Sequence, residues 1–232
     1  MIRLTIISLG VLALFSFLRS PLFNISKIQV NGTSFLSREE VILDSSLKMG
    51  QNILEVSPSK VASLLMKNPR ISSASVRRKL PSTILVTIKE RYPLLMVPHG
   101  GYYLEIASDG VVLGVSSTVK LATMPILAGV NVESARVGAQ IRFHGDKEAL
   151  SLLDSFTPSF RSRISQVCVT DAGGVEVILP EGVRAIFGLA PASEMKRKAV
   201  IFEALLSKIH EEGRSVRLID LRATDRPVVR ER

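Results

Sequence analysis

Tryptophan is absent from the 232 residues, cysteine occurs once and histidine only three times. A single Cys excludes a disulfide framework and any Cys-rich zinc site. His99, His144 and His210 stand without ligand spacing between them, so no metal signature is present. With nine Phe and three Tyr, the core is expected to be aliphatic. Catalytic signatures are missing too: there is no G-x-S-x-G, H-E-x-x-H, phosphate loop or G-x-G-x-x-G. Three S-x-x-K matches occur, at Ser45/Lys48, Ser57/Lys60 and Ser193/Lys196, without the Ser-Asp-Asn or Lys-Thr-Gly of penicillin-interacting enzymes. Ser57 and Ser193 fall where helix caps are wanted. No enzyme, cofactor or small-molecule substrate is expected.

What is present is positive charge, a net +9. It is unevenly placed: residues 1–91 carry 13 Lys/Arg against 5 Asp/Glu, and residues 92–232 carry 17 against 16. A basic excess fits solubility, an anionic membrane surface or nucleic acid. No zinc finger and no aromatic RNA-binding signature interleaves these charges, so nucleic acid is not expected. Arg70, Arg77, Arg78 and Lys79 lie close together in sequence and are the candidate membrane-surface residues.

The longest uncharged apolar run is LTIISLGVLALFSFL, residues 4–18, between Arg3 and Arg19. As a helix it spans about 22 Å, short of a ~30 Å hydrocarbon core. The flanking arginines can snorkel, and Leu22 and Phe23 extend the apolar length. A signal peptide competes with an uncleaved anchor here. The residues at which cleavage would fall, Phe17 to Pro21, are not a small-x-small site, so residues 1–22 are read as a single transmembrane anchor.

Residues 25–30 alternate apolar and polar before Asn31-Gly32, a strand and a turn. Ser37-Arg-Glu-Glu40 is a capping box, opening a helix that buries Val41, Ile42 and Leu47 and stops at Gly50. Ser57-Pro58 starts a second helix, which Asn68-Pro69 stops. Strands follow at 71–79 and 83–90, around a Leu80-Pro81-Ser82 turn. The order β-α-α-β-β suits a small sheet with two helices on one face. VNG at 30–32, SREEV at 37–41, GQNIL at 50–54 and the run 68–91 closely resemble a POTRA domain, in the version carried by the bacterial cell-division family FtsQ, called DivIB in Gram-positive bacteria.

Residues 92–232 read as β-rich with two helices. Strands are expected at 94–97, 102–106, 111–113 and 124–129, and a meander at 164–170, 175–179 and 183–187. Asp146 is placed to cap a helix ended by Pro158; a second helix starts near Pro191 to Ser193 and runs to Gly213. Pro227 lacks a ladder N–H, so the terminal strand must lie at an edge or begin after it. DGVVLG, MPILAG, GVRAIFG and IDLR at 219–222 resemble the β-domain of the same family.

The expected fold class is therefore α+β: an N-terminal transmembrane helix (1–22), a POTRA-like domain (23–91) and an FtsQ-type β-domain (92–232). The resemblance implies a non-enzymatic bitopic scaffold of the division complex. It would sit in the plasma membrane at the septum with its N-terminus cytoplasmic and its domains outside. Its partners would be small coiled-coil division proteins of the FtsB/FtsL or DivIC/FtsL type, and other division-complex membrane proteins. In that family the terminal strand is the docking edge. The matching positions are Leu221, Arg222, Ala223, Thr224, Asp225, Val228, Val229 and Arg230. Two other classes compete. A POTRA-bearing transport module would continue into a membrane barrel, for which too little chain follows. A cleaved extracytoplasmic hydrolase would need an active constellation.

Overall fold

The computed structural model describes residues 2–118, 124–130, 132 and 136–232. The chain divides into two compact units, Met1–Arg91 and Tyr92–Arg232.

The first unit opens with helix α1 (Ile2–Leu18), in which every residue is exposed. Among the described residues, no helix is long and apolar enough to cross a membrane. A one-turn 3-10 segment, Pro21–Phe23, leads to β1 (Lys27–Asn31), α2 (Arg38–Ser45), α3 (Pro58–Leu65), β2 (Ile71–Lys79) and β3 (Thr83–Glu90). The sheet order is β1-β3-β2, with β1 parallel and β2 antiparallel to the central β3. Alternation puts Ile84, Val86 and Ile88 of β3 on one face, where they pack with Val41 and Val61 of the helices and with Ile25, Leu47 and Ile53. Each fully buried aliphatic side chain contributes about 1.5–3 kcal/mol.

The capping box forms as the sequence predicts. The Glu40 amide donates to Ser37 Oγ at 3.1 Å, and the Ser37 amide donates to the Glu40 carboxylate at 2.7 Å. That amide holds the Glu40 carboxyl below its ordinary pKa, with the Ser37 hydroxyl adding to it. The helix ends earlier than expected, at Ser46 rather than Gly50: Ser46 takes the left-handed conformation (φ 56°) and its amide closes on the Leu43 carbonyl. Ser57 does not act as a side-chain cap, because its hydroxyl pairs with Ser59; Pro58 alone sets the start of α3. After β1 the chain turns at Gly32, and Glu90 at the end of β3 accepts from the amides of Ser34, Phe35 and Leu36.

The second unit contains β4 (Pro93–His99), β5 (Tyr102–Ala107), β6 (Val112–Ser116), β7 (Ile126–Ala128), α4 (Asp146–Ser155), α5 (Pro158–Arg161), β8 (Gln166–Val169), β9 (Val175–Ile178), β10 (Arg184–Gly188), α6 (Ala192–Glu211), β11 (Val216–Asp220) and β12 (Val228–Glu231). One nine-stranded sheet runs β12-β11-β10-β9-β8-β7-β4-β5-β6. The β10–β11, β7–β8 and β4–β7 pairs are parallel and the rest antiparallel.

Four expectations need correction here. The cap of α4 is Gly145, with φ 76°, and Asp146 is the first helical residue. Pro158 does more than end that helix: Thr157 accepts from the Phe160 amide and Pro158 opens α5. Ser193 lies inside α6, whose cap is Pro191. The core, finally, is not wholly aliphatic. Phe156, Phe160, Phe187 and Phe202 meet with ring centroids 5.1–6.1 Å apart, drawn together from α4, α5, β10 and α6 and their ends. Few aromatics suffice because four of them share one place.

Candidate functional site

The outermost strand of the larger sheet is β12. Among the described residues it pairs with β11 alone, antiparallel, with Asp220 opposite Val228, Ile219 opposite Val229 and Leu218 opposite Arg230. Pro227 precedes its first residue, so the missing N–H falls outside the ladder. The Arg232 amide donates inward, to the Ser215 carbonyl at 3.1 Å. Backbone groups of an antiparallel strand alternate sides, so Arg230 and Val228 also face β11, whereas Val229 and Glu231 turn their N–H and C=O groups outward. Val228 is half exposed and Arg230 exposed, while the Val229 side chain packs on the core.

The other candidate positions play different parts. Leu221 is buried and its amide donates to the Ile186 carbonyl at 2.7 Å, which continues the β10–β11 pairing. Arg222, Ala223, Thr224 and Asp225 form the bend and turn between β11 and β12, closed by the Arg226 amide on the Ala223 carbonyl. They are not extended and offer no strand ladder.

This turn is tied down on both sides. Arg222 donates through Nε and a terminal nitrogen to the Asp220 carboxylate, at 3.1 and 2.7 Å, and its amide donates to the same carboxylate at 3.0 Å. The guanidinium contact holds the Asp220 carboxyl below the ordinary Asp value and raises Arg222 in return. On the other side stands α6. Lys198, 1% exposed, donates to the Phe187 carbonyl at 2.7 Å and the Arg222 carbonyl at 3.3 Å, with the Glu194 carboxylate 3.4 Å away. Thr224 donates to Glu194 and Arg197 to Asp225. A buried ammonium is tolerable only with such partners. Sequence reasoning missed Lys198, although it lies on the apolar stripe of Met195, Ala199 and Phe202 at helical spacing. Shallow depressions of about 500 and 320 Å³ border this turn, the first between it and α6 and the second against Asp220 and Val228.

The candidate membrane-surface residues do not form one patch. Arg77 and Lys79 are exposed on the face of the small sheet turned away from the helices. Arg78 points to the other face, where its guanidinium donates to the Val56 carbonyl at 2.5 and 3.0 Å. Arg70 precedes the opposite end of β2, about 30 Å along the strand from Lys79.

Ser45 is buried and donates to the Ile42 carbonyl at 2.6 Å. Cys168 is half-buried, and burial raises its thiol pKa, with Glu176 adding to the effect. Among the described residues, no three His, Cys, Asp or Glu side chains are grouped to hold a metal.

Two family models match the chain: POTRA domain, FtsQ-type, over residues 23–91, and Cell division protein FtsQ/DivIB, C-terminal, over residues 96–222. The cell division protein DivIB of Clostridium acetobutylicum is 31% identical over 140 residues, 60% of this chain and 55% of that one. The cell division protein FtsQ of Syntrophotalea carbinolica is 31% identical over 135 residues, 58% of this chain and 48% of that one. FtsQ of an Anaeromyxobacter species is 26% identical over 212 residues, 90% of this chain and 71% of that one. Thus the chain spans about half the length of the first two relatives. Among solved structures, the major extracytoplasmic domain of DivIB from Geobacillus stearothermophilus is similar at a TM-score of 0.37 and 15% identity, over 53% of this chain and 97% of that one. With the C-terminal family model covering more than half its residues, the chain belongs to the FtsQ/DivIB family of cell division proteins.

Proposed function

We propose that this protein is a non-enzymatic scaffold of the division complex, held in the plasma membrane by its N-terminal segment and docking a small coiled-coil division protein of the FtsB or DivIC type, with FtsL, on its terminal sheet edge. The observation that carries this reading is β12 itself: an outermost strand with the backbone groups of Val229 and Glu231 turned outward. Exposed edges bind by strand addition, with backbone hydrogen bonds giving affinity. Val229 and Glu231 then accept and donate the ladder bonds, and the exposed side chains of Val228 and Arg230 meet the incoming strand.

The anchor reading rests on α1. Its 17 residues give about 26 Å of helix. Apolar Pro21–Phe23 extends it, and Arg3 and Arg19 reach the headgroups from either end. A helix apolar on all sides and buried nowhere needs a nonpolar surrounding. The N-terminus is cytoplasmic in this reading and residues beyond about 24 are outside.

A fluorescent fusion of the full chain, followed through the cell cycle, tests the function. Enrichment at midcell before constriction, with co-purification of the coiled-coil partner, supports it. A uniform peripheral signal contradicts it.

A further inference from the structure

The register of the small sheet fixes which residues meet on its open face, away from α2 and α3. Lys27, Thr83 and Lys79 form one row across β1, β3 and β2; Gln29, Leu85 and Arg77 form the next; Asn31, Thr87 and Ser75 the third. Lys89 stands beside Ser73 at the far end. This face carries four cations, all exposed, and no carboxylate. The acids of residues 1–91 lie elsewhere. Glu39, Glu40 and Asp44 are on α2, Glu55 is in the loop before α3, and Glu90 is folded onto the amides of Ser34 to Leu36. Among the described residues, Lys27, Arg77, Lys79 and Lys89 have no carboxylate partner. Four of the thirteen cations of residues 1–91 thus share one surface, and among the described residues no carboxylate pairs with them there.

The end of that face bearing Lys27 and Lys79 is the end nearest α1. Lys27 follows Leu18 by nine positions in sequence. The Leu18 carbonyl accepts from Asn52 at 2.8 Å, and Ser26 donates to Ser82 at 2.8 Å just beside the Lys27–Thr83 pair. We propose that Lys27, Arg77 and Lys79 form a contact for anionic lipid headgroups, a reading that rests on insertion of α1 in the bilayer. Charge complementarity carries it, and the Thr83 hydroxyl, in the same row as Lys27 and Lys79, adds a donor suited to phosphate. The face holds no aromatic side chain on which bases could stack, which disfavours nucleic acid. Lys89 lies six residues beyond Thr83 on β3, about 20 Å away. That exceeds the ~8 Å Debye length at physiological salt, so Lys89 contributes little.

The test uses the full chain with Cys168→Ala and a fluorophore on Ser75→Cys, reconstituted into bilayers containing a headgroup-labelled acceptor lipid. Energy transfer should be higher in bilayers containing phosphatidylglycerol than in phosphatidylcholine alone, and the excess should vanish at high salt. Lys27→Gln, Arg77→Gln and Lys79→Gln should each lower the ratio of surface-bound to free domain about fivefold, the equivalent of about 1 kcal/mol per charge. Lys89→Gln should leave it unchanged. Equal transfer in both bilayers, with the chain still resisting an alkaline carbonate wash, overturns the lipid contact while the anchor stands. An effect of Lys89→Gln as large as that of Lys27→Gln overturns the assignment to this end of the sheet. Loss of the chain in the wash removes the anchor and the contact together.

Discussion

Lys198 Nζ lies 3.3 Å from the carbonyl oxygen of Arg222, so a side chain buried on α6 holds the first residue of the turn that launches the sheet's last strand. The same ammonium holds the Phe187 carbonyl at the end of β10. Lys198→Met keeps the volume and removes both donors. Each buried carbonyl left without a partner costs about 1–3 kcal/mol. The expected outcome is a lower denaturant midpoint for the variant, with weaker capture of the coiled-coil partner even where the variant remains folded.

Asp220 makes the complementary contact from the strand side, and its effect depends on pH. Its carboxyl is held below the ordinary value of 3.8, chiefly by the Arg222 guanidinium. An acid whose folded pKa is depressed stabilises the fold above its unfolded pKa, and this contribution is lost as pH falls through the folded value. Asp220→Asn should therefore be less stable than the parent at neutral pH. The difference should narrow as pH falls below about 3.8. Urea unfolding of both proteins across that range measures it; a difference that stays constant with pH would show that the ion pair is not its source.

Gly32 sits at φ 88°, and a Cβ added there would stand 2.0 Å from the Ile88 carbonyl oxygen. Neither the backbone conformation nor the contact allows a side chain. The strained conformation alone costs a non-glycine residue about 1–3 kcal/mol, and displacement of β3 adds to it. Gly32→Ala should destabilise the first unit by at least that much, seen as loss of hydrogen-exchange protection at Val86 and Ile88.

Much of the first unit was legible because its signals are local. The capping box at Ser37, the Gly32 turn and the alternation of Ile84, Val86 and Ile88 each depend on residues a few positions apart. Where the α2 helix ends was not legible, since Ser46 adopts a conformation that glycine usually supplies. In the second unit the strands could be read, but their order could not. The parallel β4–β7 pairing and the meeting of four phenylalanines from separate elements are set by packing at long range. Pro227 leaves two readings of the terminal strand open, an edge strand or one that begins after the proline; β12 begins after it, at Val228, and its edge position is set by the sheet order. Which of its amides face outward required the Arg232–Ser215 register. Lys198 was hidden because a Glu-Lys pair four residues apart on a helix usually marks a solvated face.

Membrane topology is tested by thiol labelling. In a chain with Cys168→Ala, a cysteine at exposed Ser59 should react with a membrane-impermeant reagent in intact cells or spheroplasts. Labelling only after lysis would place the first unit inside the cell and end the scaffold reading.

The central claim is that the outward face of β12 receives the partner's strand, and Val229→Pro tests it most directly. The Val229 amide turns away from β11, so proline there removes a donor from the free edge and none from the existing ladder. Partner capture by the full chain should fall severely while the thermal midpoint moves little. A Val229→Pro chain that captures its partner as well as the parent does would contradict the docking edge. So would one whose second unit unfolds outright, because the amide would then already be spent within the sheet.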